Sequence, residues 1–185
     1  MLKDTENEAE VRMKGAVQAL EEELAGIRTG RASPALIERL LVEYYGTPTP
    51  LIQLASISVP ESRTLLVKPF DASSLKAIER AILTSDLGLT PNNDGKSIRL
   101  NLPPLTEERR RELVKVVHHR VEDARVAVRN IRRDLIKDLR DFKEEKLISE
   151  DELERGEEML QKLTDHYIEE LNRLGQQKEK EIMEV

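Results

Sequence analysis

Proline divides this chain. All eight prolines (34, 48, 50, 60, 69, 91, 103 and 104) fall between residues 34 and 104 of a 185-residue sequence. A proline inside a helix removes a backbone hydrogen bond and costs about 3 kcal/mol. Long helices are therefore confined to the flanks, and both flanks carry their pattern. Met13, Val17, Leu20, Leu24 and Ile27 recur at alternating steps of four and three, an apolar helical seam. Gly30 is expected to end that helix. Beyond Pro104, Thr106 is a candidate N-cap, and Glu107 and Glu108 fill a first turn where the helix dipole favours acids. Val117, Val121, Ala124, Val128, Ile131, Leu135, Leu139 and Phe142 continue a seam that predicts one helix over about 106–145, roughly 60 Å long. Ser149 and Glu152 form a capping-box pattern that opens a third helix. Its seam is Leu153, Leu160, Leu163, Tyr167, Leu171 and Leu174, and it is expected to fray toward the charged end. The short link between the last two helices predicts an antiparallel bundle.

The proline-bearing middle has another period. Runs at 40–45, 57–59, 64–67 and 98–102 are short, β-rich and bounded by Gly, Pro, Asn or Asp. Ser73 and Ser74 are candidate caps for a helix with Leu75, Ile78 and Ile82 inward, and Asn92-Asn93-Asp94-Gly95 is expected to turn. The organisation expected is a discontinuous bundle, 1–30 with 105–185, and a small β/α/β domain over 31–104. The fold class is α+β.

The residue inventory excludes most chemistries. There is no Cys, so disulfides, thiolate metal sites and cysteine nucleophiles are out. The eight glycines form no phosphate-cradling motif. Three histidines remain, and adjacent His118 and His119 diverge by about 100° on a helix, so they cannot chelate together. No catalytic group, metal or cofactor is expected, and the chain is not read as an enzyme. No apolar run approaches the roughly 20 residues of a membrane span. Residues 1–30 are unlike a signal or transit peptide, and an intracellular, cytoplasmic protein is expected.

Net charge is −6, which argues against a general nucleic-acid binder. Its distribution is uneven. Residues 106–140 carry 11 basic and 7 acidic groups, whereas 141–185 carry 7 and 15. Placed at about 100° per residue from Arg125, the seam of the long helix centres near 280°. Arg111, Lys115, His118, Arg125, Arg129, Arg132, Arg133 and Arg140 then fall roughly between 340° and 80°. Glu112, Asp123, Asp134, Asp138 and Asp141 fall roughly between 140° and 220°, and from Arg111 to Arg140 only Glu122 interrupts the basic strip. Arginine's planar fork suits phosphate. Two readings of the strip stand side by side: it pairs with acids of the third helix such as Glu154, Glu157, Glu158 and Glu169, or it docks on RNA. Arg132 lies nearest the seam, so its stem is expected to pack and its head to emerge.

Several longer motifs narrow this further. They are the runs 28–34 (RTGRASP), 42–50 (VEYYGTPTP), 85–89 (SDLGL), 103–110 (PPLTEERR) and 124–134 (ARVAVRNIRRD). In them the chain resembles the bacterial ribosome recycling factor family, from residue 9 to about 175 without a gap. The resemblance implies an L-shaped protein, with a three-helix bundle joined to the β/α/β domain by a hinge at Gly30-Arg31 and Pro103-Pro104-Leu105. It implies rRNA contacts from Arg110, Arg129, Arg132 and Arg133. It also implies binding to the post-termination 70S ribosome through the large subunit, and splitting with elongation factor G and GTP. A monomer is expected, with no membrane or DNA partner. A homodimerising structural protein and a hydrolase on the middle domain are the other classes, and residues 31–104 offer the latter no His or Cys.

Overall fold

The computed structural model describes residues 1–184. Three long helices form where proline is absent: α1 (Leu2–Ala25), α3 (Glu107–Glu144) and α4 (Glu150–Met183). Between α1 and α3 lie six short strands and α2 (Leu75–Thr84). No helix among the described residues is long and apolar enough to cross a membrane. The chain forms two compact units. One comprises Met1–Leu24 with Glu112–Lys180, the other Ala25–Arg111 with the residues from Glu181 onward.

The first unit is the bundle. α1 buries Thr5, Ala9, Met13, Val17, Leu20 and Leu24, and α3 buries Leu113, Val117, Val121, Val128, Ile131, Leu135 and Leu139. α1 ends at Ala25, before Gly26, and so stops short of Gly30. Glycine is the poorest helix former after proline, and Gly26 comes first. α3 starts one residue after Thr106, whose hydroxyl accepts from the Arg109 N–H at 3.1 Å. The capping box at the head of α4 closes both ways: the Ser149 N–H donates to Glu152 at 2.7 Å, and the Glu152 N–H donates to Ser149 Oγ at 3.1 Å. The first of these bonds holds the Glu152 carboxyl below its usual range. α4 runs to Met183 without early fraying, and Ile182 is fully buried.

Two seam positions of α4 are glycines, Gly156 and Gly175, both buried. A Cβ at Gly175 would come within 2.7 Å of Val121 Cγ2 on α3. Valine is stiff at χ1 and cannot swing away cheaply. Gly175→Ala is therefore expected to lower unfolding stability by about 1–3 kcal/mol, overriding its gain in helix propensity. Gly15, in the middle of α1, has nothing within 4 Å of the same position. Gly15→Ala is expected to raise stability by about 0.5–1 kcal/mol. Urea titrations of the two variants, moving in opposite directions, check the pair.

The second unit holds an antiparallel pair, β1 (Leu41–Tyr44) with β2 (Thr47–Pro50), and a four-stranded antiparallel sheet. That sheet comprises β3 (Ala55–Glu61), β4 (Thr64–Pro69), β5 (Pro91–Asn93) and β6 (Ile98–Asn101), in the order β3-β4-β6-β5. Four of the five prolines in these strands lie on single-neighbour or edge strands or at a register shift, where a missing donor is tolerated. Pro48 and Pro50 lie on β2, which has a neighbour on one side only, and Pro91 opens the edge strand β5. Pro60 lies where the β3–β4 register shifts between Ser58 and Glu61. Tyr45 and Gly46 link β1 to β2, both with positive φ (49° and 77°), as a tight two-residue hairpin requires. Val42, Leu51, Leu65, Val67, Ile78, Ile82, Ile98 and Leu100 form a fully buried core between α2 and the strands.

Candidate nucleic-acid interface

The strip on α3 is held by carboxylates and by neutral side-chain amides. Arg125 donates from Nε to Asn172 Oδ1 of α4 at 2.8 Å and from a terminal nitrogen to Glu122 at 2.8 Å. Arg129 donates to the other Glu122 oxygen at 3.2 Å. Arg132 donates to the side-chain carbonyl of Gln161, which itself donates to Asp165 at 2.8 Å. Arg140 pairs with Glu157 at 3.1 Å, and His118 with Glu179 at 3.1 Å. Arg133 is exposed and takes no hydrogen bond or ion pair among the described residues.

Both readings of the strip can now be weighed. Of the four α4 acids expected as partners, only Glu157 takes a strip arginine among the described residues. Arg129, Arg132 and Arg133 form no ion pair with α4. Two of them meet α4 as a neutral amide or not at all, so most of their charge is uncancelled across the helix pair. Arg132 packs as its position near the seam predicts. It is half-buried, and its Nε is buried with no partner. A desolvated guanidinium donor without an acceptor is costly, and an incoming anion at the strip's edge would relieve it.

Arg110 lies in the first turn of α3, in the other compact unit, half-buried, with its Nε also buried and unpartnered. Arg129, Arg132 and Arg133 belong to the bundle unit and Arg110 to the other.

The two connectors show what sequence reasoning could not. Residues 26–33 and 102–106 have no helix or strand. The Arg28 guanidinium donates to the Pro103 carbonyl, tying one connector to the other. The Ala32 N–H donates to the Ser62 carbonyl at 2.7 Å, and the Leu102 N–H to the Arg63 carbonyl at 2.7 Å. Both connectors thus hang on one hairpin turn, between β3 and β4. Burial, then the charges of Arg109 and Arg63, push the Arg28 guanidinium below its ordinary value. Gly30 has an ordinary negative φ, and Arg31 donates its N–H to Thr29 Oγ1 at 3.2 Å. Pro103 and Pro104 are exposed and Leu105 is buried. Arg28 is the residue the sequence reading missed. Its role depends on a carbonyl 75 positions away, which no local pattern signals.

No group of three or more His, Asp or Glu among the described residues is placed to hold a metal ion. Comparison with known proteins is consistent along the whole chain. The family model for ribosome recycling factor matches residues 20–183. Ribosome-recycling factors of Chloroflexus aggregans and Halalkalibacterium halodurans are 59% and 57% identical over 185 residues, covering 100% of each chain. A solution structure of the ribosome recycling factor aligns over 100% of this chain and 98% of its own, with TM-score 0.77 and 51% identity. Another solved structure contains the T. thermophilus ribosome recycling factor and the E. coli elongation factor G bound to the E. coli post-termination complex. It aligns over 100% of both chains with TM-score 0.67 and 47% identity. With matches this long, at such identity and in both sequence and fold, the chain belongs to the ribosome recycling factor family.

Proposed function

We propose that this chain binds the post-termination 70S ribosome through large-subunit rRNA and, with elongation factor G and GTP, splits it into subunits. The observation that carries the reading is the charge at Arg132 and Arg133, which no acid cancels, on an otherwise acidic protein. Such a strip binds phosphates in one orientation while the rest of the surface is repelled, so docking is both oriented and reversible. Arg110 would add a separate phosphate contact. The relative solved with elongation factor G on a post-termination complex supplies the partner class. The partner hydrolyses the GTP, and the chain acts as a monomeric wedge and lever in the cytoplasm rather than as an enzyme.

The hinge would be Gly30-Arg31 on one connector and Pro103-Pro104-Leu105 on the other, allowing the small domain to swing when a translocase pushes it. Both lie in segments free of helix and strand. Light scattering of 70S ribosomes should fall on adding the chain, elongation factor G and GTP together, and stay level when any one is left out. Co-sedimentation with large subunits should weaken about tenfold or more between about 50 and 200 mM KCl. Salt-independent binding would rule out phosphate docking.

A further inference from the structure

Between Arg111 and Arg140, Glu122 is the one acid that falls within the basic strip. It is half-exposed, and its two oxygens are shared between two guanidiniums: Arg125 at 2.8 Å, one turn on, and Arg129 at 3.2 Å, two turns on. Arg125 is steadied from its other side by Asn172. These arginine hydrogen bonds hold the Glu122 carboxyl below its usual range, so it stays charged. A surface ion pair within one helix ordinarily contributes only a few tenths of a kcal/mol. One carboxylate presenting its two oxygens to two guanidiniums does, however, occupy donors that a phosphate would take.

We propose that Glu122 is an internal stand-in for an RNA phosphate. It holds Arg125 and Arg129 in place in the free protein, and an rRNA phosphate must displace it, which limits how tightly the strip binds. The proposal rests on the strip being the rRNA-docking surface. A factor used on one ribosome after another has to leave, and a counter-charge of its own weakens the bound state without removing any contact residue.

The test is Glu122→Gln in the full-length chain, set against Asp123→Asn. The second makes the same change in net charge one residue away, at a carboxylate 3.8 Å from His119 and off the strip. Affinity for purified large subunits is measured over a salt series, together with the dissociation rate. Glu122→Gln is expected to tighten binding about three- to fivefold at low salt and to slow dissociation. Asp123→Asn is expected to change little. With Arg125→Ala and Arg129→Ala already present, the gain from Glu122→Gln is expected to vanish, which a purely structural Glu122 would not give. Equal gains from both single variants would reduce the effect to net charge and overturn the proposal. Weaker binding by Glu122→Gln would overturn it too, making Glu122 a support for the arginines. Arg129→Ala alone separates the two readings. If it weakens binding while Glu122→Gln has no effect, only the Glu122 proposal fails. If it too has no effect, the docking surface is misassigned and both fail.

Discussion

Residues 1–30 joined to residues 105–185 through a short Gly/Ser linker are expected to bind large ribosomal subunits and to split no ribosomes. The joined chain keeps all of α1, α3 and α4, the Thr106 cap and every strip arginine, so its docking surface is intact. The linker need not be long, because Arg28 already reaches the Pro103 carbonyl. What the chain loses is the unit with the four-stranded sheet, the part on which elongation factor G would push. Splitting should fall to the level without any factor, while subunit affinity stays within a few-fold of the full-length value. Splitting at the full rate would show that the small domain is no lever.

Arg132→Ala is expected to weaken large-subunit binding about tenfold or more, since hydrogen bonds to charged groups are worth roughly 1.5–3 kcal/mol. Helical circular dichroism should not change. The lost partner in the free protein is a single Gln161 carbonyl, and the buried, unpartnered Nε disappears with the side chain. Asp138→Ala, on an exposed position of the opposite face, should have little effect. Equal losses from the two changes would place the docking surface elsewhere. The same assay on the joined chain should show the same Arg132 sensitivity, which ties the two experiments together.

The helices were legible because their period is strong and their ends are marked. Thr106 and the Ser149/Glu152 box set two boundaries to within a residue. The first helix was placed too long, because Ile27 continues the apolar step and masks the break at Gly26. Strand β2 was invisible, since two of its four residues are prolines, and it succeeds only by pairing on one side. Gly156 and Gly175 are seam residues with no side chain to mark an apolar period. Close approach of α3 and α4, a tertiary fact, is what requires them. The strip itself could be drawn from 100° steps. Whether Arg132 would face a carboxylate or an amide could not, because that depends on the register between α3 and α4.

The shared anchorage of the two connectors bears on how this protein is made. Because residues 32 and 102 are fastened to neighbouring carbonyls of one turn, the intervening stretch is closed on itself and its sheet needs nothing outside it. It can fold as soon as β6 has been synthesised. α1 cannot finish so early. Met13 and Leu20, fully buried in the finished bundle, are made first and must wait for α3 and α4. At about 5–20 residues per second, the more than a hundred residues in between take roughly 5 to 30 seconds. During that time the first helix is a nascent amphipathic segment with its apolar side in water, ahead of a small domain whose core residues are already made. Order of synthesis and order of burial run opposite ways, and the N-terminal seam is where this chain is most exposed to chaperones and to misassociation before its last helix emerges.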